Sequence, residues 1–423
     1  MAKKNKKTTL LIKDIGQLVT MQGPSPRRGR QMSDIGLVTD AAVAVAGEEI
    51  WAVGKAEEVA REVEPAENCV VISAENKVVT PGLIDPHTHP VFAQTRELEF
   101  EMRLAGRTYM EIAQAGGGIR ASVRHLRESS DEALYARAQK TIAGLLAHGV
   151  TSIEAKSGYG LSTESEIRSL ETIKRLAERE AVDLYPTFMG AHEVPDEYRE
   201  RHADYVSLII NEMIPAVEDK NLALFCDVFC EESVFTIAES RAILTAARKA
   251  GMKPKLHADE LKPTGGAELA VELGAVSADH LVCVSDRGID ALAASNTVAV
   301  LLPGTSFALG LDHAAPARAM IEKGVIVALS TDCNPGSSMT ESLPMIISLA
   351  ALKLKMTAAE SLSAVTVNAA CAIDMSGKLG QLEPGLLADL VVWDMNDYRE
   401  LPYHYGVNLV ETVVKKGKVV VGE

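Results

Sequence analysis

Between residues 82 and 334 the chain repeats one phrase eight times: an apolar run, a turn, then an amphipathic stretch of helical period. The runs are GLIDPHTH, TSIEAKSG, DLYPTFMGAH, LALFCDVFCEE, KPKLHADE, AVSADHLV, TVAVLLPG and VIVALSTDCN. They lack the strict alternation of a half-exposed strand, as expected of parallel strands covered on both faces. Eight strands alternating with helices is the count of a (β/α)8 TIM barrel. A doubly wound open sheet would want a GxGxxG turn after an early strand, and none follows one here. The intervening stretches support the barrel. Residues 130–148 place Leu134, Ala138, Ile142 and Leu145 on one face, Ser129 with Glu132 reads as a capping box, and Gly149 stands where a stop is wanted. Thr163 with Glu166 reads as a second capping box, opening a helix to about residue 180. Residues 233–250, 265–274, 286–295 and 312–323 fill the other gaps.

Both ends of the chain read differently. Residues 8–81 hold TTLLIKD, GQLVTMQG, AAVAVAGEEIWAVG and ENCVVIS, β-rich segments separated by Gly, Asn and charges, with AEEVAREV as the one short helical stretch. Near the other end, LLADLVVWDM and LVETVVKKGKVVVGE alternate apolar and polar residues, with KKGK as a hairpin turn. The expectation is an α/β protein whose barrel spans 82–375, with a small β-sandwich domain assembled from 1–81 and 376–423.

Composition narrows the partners. The formal net charge of −15 repels phosphate backbones, so nucleic acid is excluded as an expected partner. No apolar run approaches the ~20 residues that span a bilayer, and the basic start MAKKNKK reads as a frayed tail rather than a signal peptide. A soluble, cytoplasmic protein is expected. Six cysteines without a CxxC pair fit free thiols in a reducing compartment better than a disulfide framework or a structural zinc site. Aromatic residues are only 4%, so aliphatic side chains must fill the core.

Catalytic residues of such barrels lie at the C-terminal ends of the strands. His87 and His89 end the first run, His192 the third, His257 the fifth, His280 the sixth and Asp332 the eighth. Five of the ten histidines thus gather at one mouth. In an extended segment, residues i and i+2 point the same way, so His87 and His89 can meet one ion while Thr88 points elsewhere. HxH alone is a weak signal; with His257 and Asp332 at later strand ends it is a strong one. Neutral nitrogens with a carboxylate suit zinc or iron, and neither calcium nor magnesium. An open position on such an ion lowers the pKa of a bound water toward ~7. Asp332 can touch the metal and accept that water's proton; the competing reading is a helix N-cap. Glu260, three residues after His257, suits general acid–base work; otherwise it is a solvated loop carboxylate. His280 can polarise a carbonyl or hold the attacking water; otherwise it is a satisfied core histidine.

With these residues in place, the chain resembles the amidohydrolase superfamily. TPGLIDPHTH resembles the opening of that superfamily's barrel, and the β-rich ends are similar to its accessory domain. HADE, with His280 and Asp332, resembles its single-metal branch. The binuclear branch commonly carries a bridging carboxylated Lys at the end of the fourth strand, where FCDVFCEE has none. EFEMRLAGRTYMEIAQAGGGI, IEAKSGYGL, MGAHEVPDEYR, KLHADEL, SADHL and STDCNPGSS narrow the resemblance to the imidazolonepropionases, from about residue 35 to the end. The resemblance implies one divalent metal per chain, Zn2+ or Fe2+/Fe3+, and hydrolysis of 4-imidazolone-5-propanoate to N-formimino-L-glutamate in histidine degradation. It implies a homodimer, and a small-molecule substrate with a carboxylate tail. Arg96 matches the family's carboxylate-binding Arg, and Tyr159, His192, Glu260, Asn334, Gly336 and Ser337 match its substrate contacts, the last loop offering backbone N–H groups. Two positions depart from the family pattern: Ala93 and Gln94 stand where two glycines are common, and Ser337 where Thr is frequent. Two other functions compete: a deaminase of a purine- or pyrimidine-like ring, which HxxE at His257–Glu260 permits, and a barrel that binds a metabolite without catalysis.

Overall fold

The computed structural model describes residues 7–107, 111 and 116–422. The start of the basic tail, and Thr108–Met110 and 112–115 within EFEMRLAGRTYMEIAQAGGGI, lie outside the described residues. Among the described residues, sixteen strands form two sheets of eight.

The barrel sheet holds β6 (Leu83–Thr88), β7 (Val150–Lys156), β8 (Asp183–Ala191), β9 (Phe225–Cys230), β10 (Lys253–Ala258), β11 (Ser277–His280), β12 (Val298–Leu301) and β13 (Val327–Leu329). They pair in chain order and all in parallel. Each coincides with one of the eight apolar runs. The first and last strands meet through a parallel bridge between Thr88 and Cys333, and His89 N–H donates to Cys333 O at 2.9 Å. Asp85 completes the seam by accepting from Ser330 Oγ and, at 2.6 Å, from Thr331 Oγ1. Helices cover the outside. At the other end of the barrel, helix Val367–Ala372 lies against β6, β12 and β13, where Ile84, Val300 and Ala328 join Ala369 and Ile373 in one buried cluster.

The second sheet combines both ends of the chain. Its β1 (Thr8–Val19), β2 (Leu37–Ala46), β3 (Glu49–Lys55), β4 (Pro65–Ser73) and β5 (Val78–Pro81) come from one end, and β14 (Leu390–Trp393), β15 (Val410–Lys415) and β16 (Lys418–Val421) from the other. The order is β16-β15-β14-β5-β1-β2-β3, with β4 beside β1. Leu10, Ile12, Val43, Leu390, Val392 and Val414 close a separate core within it. TTLLIKD and GQLVTMQG turn out to be one strand, irregular where Asp14 takes a φ of 56°. The KKGK turn is a two-residue hairpin with positive φ at Lys416 and Gly417, the combination whose twist suits tight hairpins. Lys415 bonds Asp183 on β8 at 2.8 Å and Asp389 at 2.6 Å, tying this sheet to the barrel.

Both expected capping boxes are corrected. Helix Asp131–Ala147 is capped by Ser130, whose hydroxyl accepts from Ala133 N–H; Ser129 instead donates to His125 O at the end of the preceding helix. Helix Thr163–Ala177 is capped by Ser162, and Glu166 is buried under a loop. The helix expected at 312–323 shortens to Ala317–Glu322, since Pro316 stands before it. All six cysteines are free. Among the described residues, no helix is long and apolar enough to cross a membrane.

Candidate active site

The C-terminal mouth of the barrel gathers His87, His89, His257, His280 and Asp332, all buried. Their positions follow from strand parity: Asp85, His87 and His89 share one face of the first segment, and Lys255 and His257 share one face of β10. The Nε2 atoms of His87 and His89 lie 3.5 and 3.6 Å from Asp332 Oδ1. The rings of His87 and His257 are 4.5 Å apart, and those of His257 and His280 5.0 Å. Among the described residues, three sets bring ligand atoms within a 4.8 Å span: His87, His89 and Asp332; His87, His257 and His280; and, beneath the mouth, His87, Asp227 and Asp279, where Asp279 already holds the His87 ring nitrogen. His87 Nδ1 is bonded to Asp279 Oδ2 at 2.6 Å, which leaves its Nε2 buried with no hydrogen-bond partner among the described residues. A buried, orphaned nitrogen facing a carboxylate is what a metal ligand looks like before the ion is counted.

The electrostatics favour cation ligation. Burial pushes His87, His89 and His280 well below the ordinary imidazole range, so their nitrogens are neutral. His257 differs: burial lowers it, yet Asp227 beside its Nδ1 at 3.0 Å raises it overall. That approach lacks hydrogen-bond geometry, leaving Nδ1 orphaned by angle rather than by distance. Burial lifts Asp332 to about 7, against a 2.6 Å bond from Thr305 Oγ1. Burial likewise lifts Glu260 to about 8, and its Oε1 lies 3.5 Å from His280 Nδ1. His280 and Asp332 carry positive φ values of 73° and 51°, conformations that side chains adopt mainly where surrounding structure imposes them.

These groups wall an inner cleft of about 130 Å³, together with Arg96, Ile119, Tyr159, His192, Phe229, Asn334 and Ser337. Arg96 also lines a wider outer cleft of about 730 Å³. All the expected site residues therefore adjoin one space, except His87, which lies beneath it, and Gly336, which lines the outer cleft. A Cβ on Gly336 would coincide with Arg96 Nη2, so the guanidinium rests on the bare backbone. Arg96 Nε lies 3.7 Å from Glu99. His192 Nδ1 bonds Gly158 O at 2.9 Å, and burial holds this imidazole down to about 3. Its ring stacks beside that of His89 at 5.1 Å.

One expectation about the rim is corrected. The N–H groups of Gly336 and Ser337 are not free to receive a carboxylate: they donate to Asn334 Oδ1 at 2.7 and 2.9 Å, folding the loop on itself. Glu166 does the same for KSGYGL, accepting from Gly158, Gly160 and Leu161 at 2.8–3.0 Å and setting Tyr159 against the cleft. Asp259 accepts from Gly265, Gly266 and Ala267 at 2.9–3.1 Å and fixes the segment that carries His257 and Glu260.

Sequence reading missed the layer beneath. Lys156, Glu154, Asp227, Asp279 and Lys255 are wholly buried inside the barrel. Lys156 Nζ lies 2.7 Å from Glu154 Oε1, 2.6 Å from Asp227 Oδ2 and 3.8 Å from Asp279 Oδ2. The signal was available: Glu154 and Lys156, and Lys255 with His257, share the parity of inward-facing positions on strands otherwise apolar.

A parallel barrel with imidazoles and a carboxylate at its C-terminal mouth defines a metal-dependent hydrolase, and the chain belongs to the amidohydrolase family, which matches it over residues 78–420. Among amidohydrolases it belongs with the imidazolonepropionases. It is 50% identical to the imidazolonepropionase of Alkaliphilus oremlandii (strain OhILAs) over 411 residues, 97% of each chain. It is 51% identical to that of Geobacillus kaustophilus (strain HTA426) over 417 residues, 98% of each. Solved structures share the fold at low identity. They include an adenosine deaminase from Xanthomonas campestris with bound zinc (TM-score 0.70, 19% identity, 99% of this chain and 94% of that one). A 5-methylcytosine deaminase from Klebsiella pneumoniae liganded with phosphonocytosine is similar (TM-score 0.72, 16% identity, 98% of each).

Proposed function

We propose that this hydrolase cleaves the cyclic amide C–N bond of 4-imidazolone-5-propanoate to give N-formimino-L-glutamate, a step of histidine degradation. The observation that carries the reading is the polarity of one cleft: imidazoles and Asp332 at its inner end, the Arg96 guanidinium where it opens. A ring amide with a propanoate tail needs both ends. Near-full-length identity of about half to imidazolonepropionases supports the same substrate.

His87, His89, His257 and Asp332 would hold one divalent ion, zinc or iron, the metals that this nitrogen and oxygen set suits. The orphaned His87 Nε2 fits such an ion. When bound, it supplies Lewis acidity for the ring carbonyl and acidifies a water. The chain's own groups do the rest. Asp332, whose second oxygen Oδ2 accepts from Thr305 Oγ1 at 2.6 Å, takes the proton from the attacking water. Glu260, lifted to about 8, carries a proton to the departing ring nitrogen. His280, held neutral by burial, orients the water or the carbonyl. Arg96 takes the propanoate in a bidentate pair. Tyr159 and His192 pack the ring, and Asn334, Gly336 and Ser337 shape the wall near Arg96. A neutral purine- or pyrimidine-like base offers Arg96 no carboxylate. We read the protein as a cytoplasmic homodimer.

Incubating the purified, metal-loaded protein with imidazolonepropionate tests the reading. The substrate absorbance is expected to fall, and to stop falling when a chelator has stripped the ion. Full loading without any loss of absorbance would contradict it.

A further inference from the structure

The buried charge layer beneath the mouth has a geometry that bears on the ion. Asp227 and Asp279 each face two ways. Asp227 Oδ2 lies 2.6 Å from Lys156 Nζ and 3.0 Å from His257 Nδ1, and its Oδ1 accepts from His257 N–H at 3.2 Å. Asp279 Oδ2 lies 3.8 Å from Lys156 Nζ and 2.6 Å from His87 Nδ1. Glu154, bonded to Lys156 at 2.7 Å, also approaches Thr88 N–H at 3.4 Å, between the two histidines of HTH. Three arms thus leave one ammonium and end on the backs of His87, Thr88 and His257. Water reaches none of these side chains, so no solvent dipole can replace the ammonium. A second buried ammonium, Lys255 Nζ, lies 3.9 Å from Glu154 Oε1 but donates to Pro86 O and Ala372 O; the arms that converge on the ligand set are those of Lys156, and that convergence is the part that asks for a function.

We propose that Lys156 is a positioning residue of the metal centre: it ties Glu154, Asp227 and Asp279 into one frame that holds His87 by its Nδ1, holds His257 by its backbone N–H with a carboxylate set against its ring, and so orients both imidazoles toward the ion. The inference rests on the proposed ligand set. Outer partners of this kind set ring orientation, and their loss typically costs ~10–100-fold in metal affinity.

Cobalt(II) binding to stripped full-length protein tests it, read as the dissociation constant and the visible ligand-field spectrum. Lys156→Met is expected to weaken cobalt about 10–100-fold and to change the spectrum. Because Lys156 acts through the aspartates, adding Lys156→Met to Asp279→Asn should cost clearly less than it costs alone, a non-additivity that a merely structural lysine would not produce. A folded Lys156→Met protein with wild-type affinity and spectrum overturns the proposal, and so does full additivity. If Lys156→Met does not fold, Asp227→Asn carries the test: wild-type cobalt affinity and spectrum there overturn it. Failure of the ligand reading itself is told apart by His87→Ala, which would then bind cobalt as wild type does.

Discussion

At the scale of single residues, the site divides its work between groups whose surroundings set their charge. Glu260 and Asp332 lie in one pocket, yet both are lifted by burial, to about 8 and about 7. Glu260→Gln keeps the shape and loses the proton. It should lower kcat ~10²–10⁴-fold while metal content stays unchanged, measured by assay and metal analysis on the same sample; activity near wild type would remove Glu260 from the chemistry. Arg96 answers a different question, that of substrate class. A charged bidentate pair is worth about 2–3 kcal/mol, so Arg96→Ala should cut kcat/KM on imidazolonepropionate about 30–150-fold. The neutral methyl ester should lose little. An equal loss on acid and ester would mean that Arg96 does not read the tail.

At the scale of elements, much was legible because parallel strands buried on both faces write themselves as short apolar runs, and all eight appear where those runs lie. The mouth was legible for the same reason: a histidine or aspartate at the end of such a run has little else to do there. What stayed hidden depends on partners far apart in the chain. Glu166 reads as a capping residue because Thr163 stands three before it, yet its carboxylate serves the loop at Gly158, Gly160 and Leu161. Lys156 and Asp227 read as ordinary polar positions until β7 and β9 bring them to 2.6 Å. Gly336 illustrates a contact that the loop alone does not disclose. Its missing Cβ makes room for Arg96 Nη2, so Gly336→Ala should displace the guanidinium and reproduce the Arg96→Ala preference with the melting temperature little changed. Acid and ester kinetics read this, and unchanged preference would mean that the guanidinium does not need that seat.

At the scale of the whole molecule, both ends of the chain fold into a sheet pinned to the barrel by Lys415 and Lys416, while the mouth stores unfavourable ionisation. Above about pH 6.5, Asp332, Glu260 and His257 all keep protons in the folded state that the unfolded chain has released. The native state then binds more protons, so the stability of metal-free protein should fall as pH rises from about 6.5 to 8. Below that window the neutral, buried His87, His89 and His280 act in the opposite sense, since unfolding lets them protonate. An ion replaces the protons at the mouth, so its stabilising effect should grow over the same window. Melting temperatures with and without zinc at pH 6.5 and 8 check this; an equal zinc shift at both would contradict it. The central claim, one ion driving one hydrolytic cleft, is tested most directly by titrating stripped protein with metal while following the loss of imidazolonepropionate. Activity should rise linearly and level off at one ion per chain. A plateau at two ions, or no activity at full loading, would contradict the account.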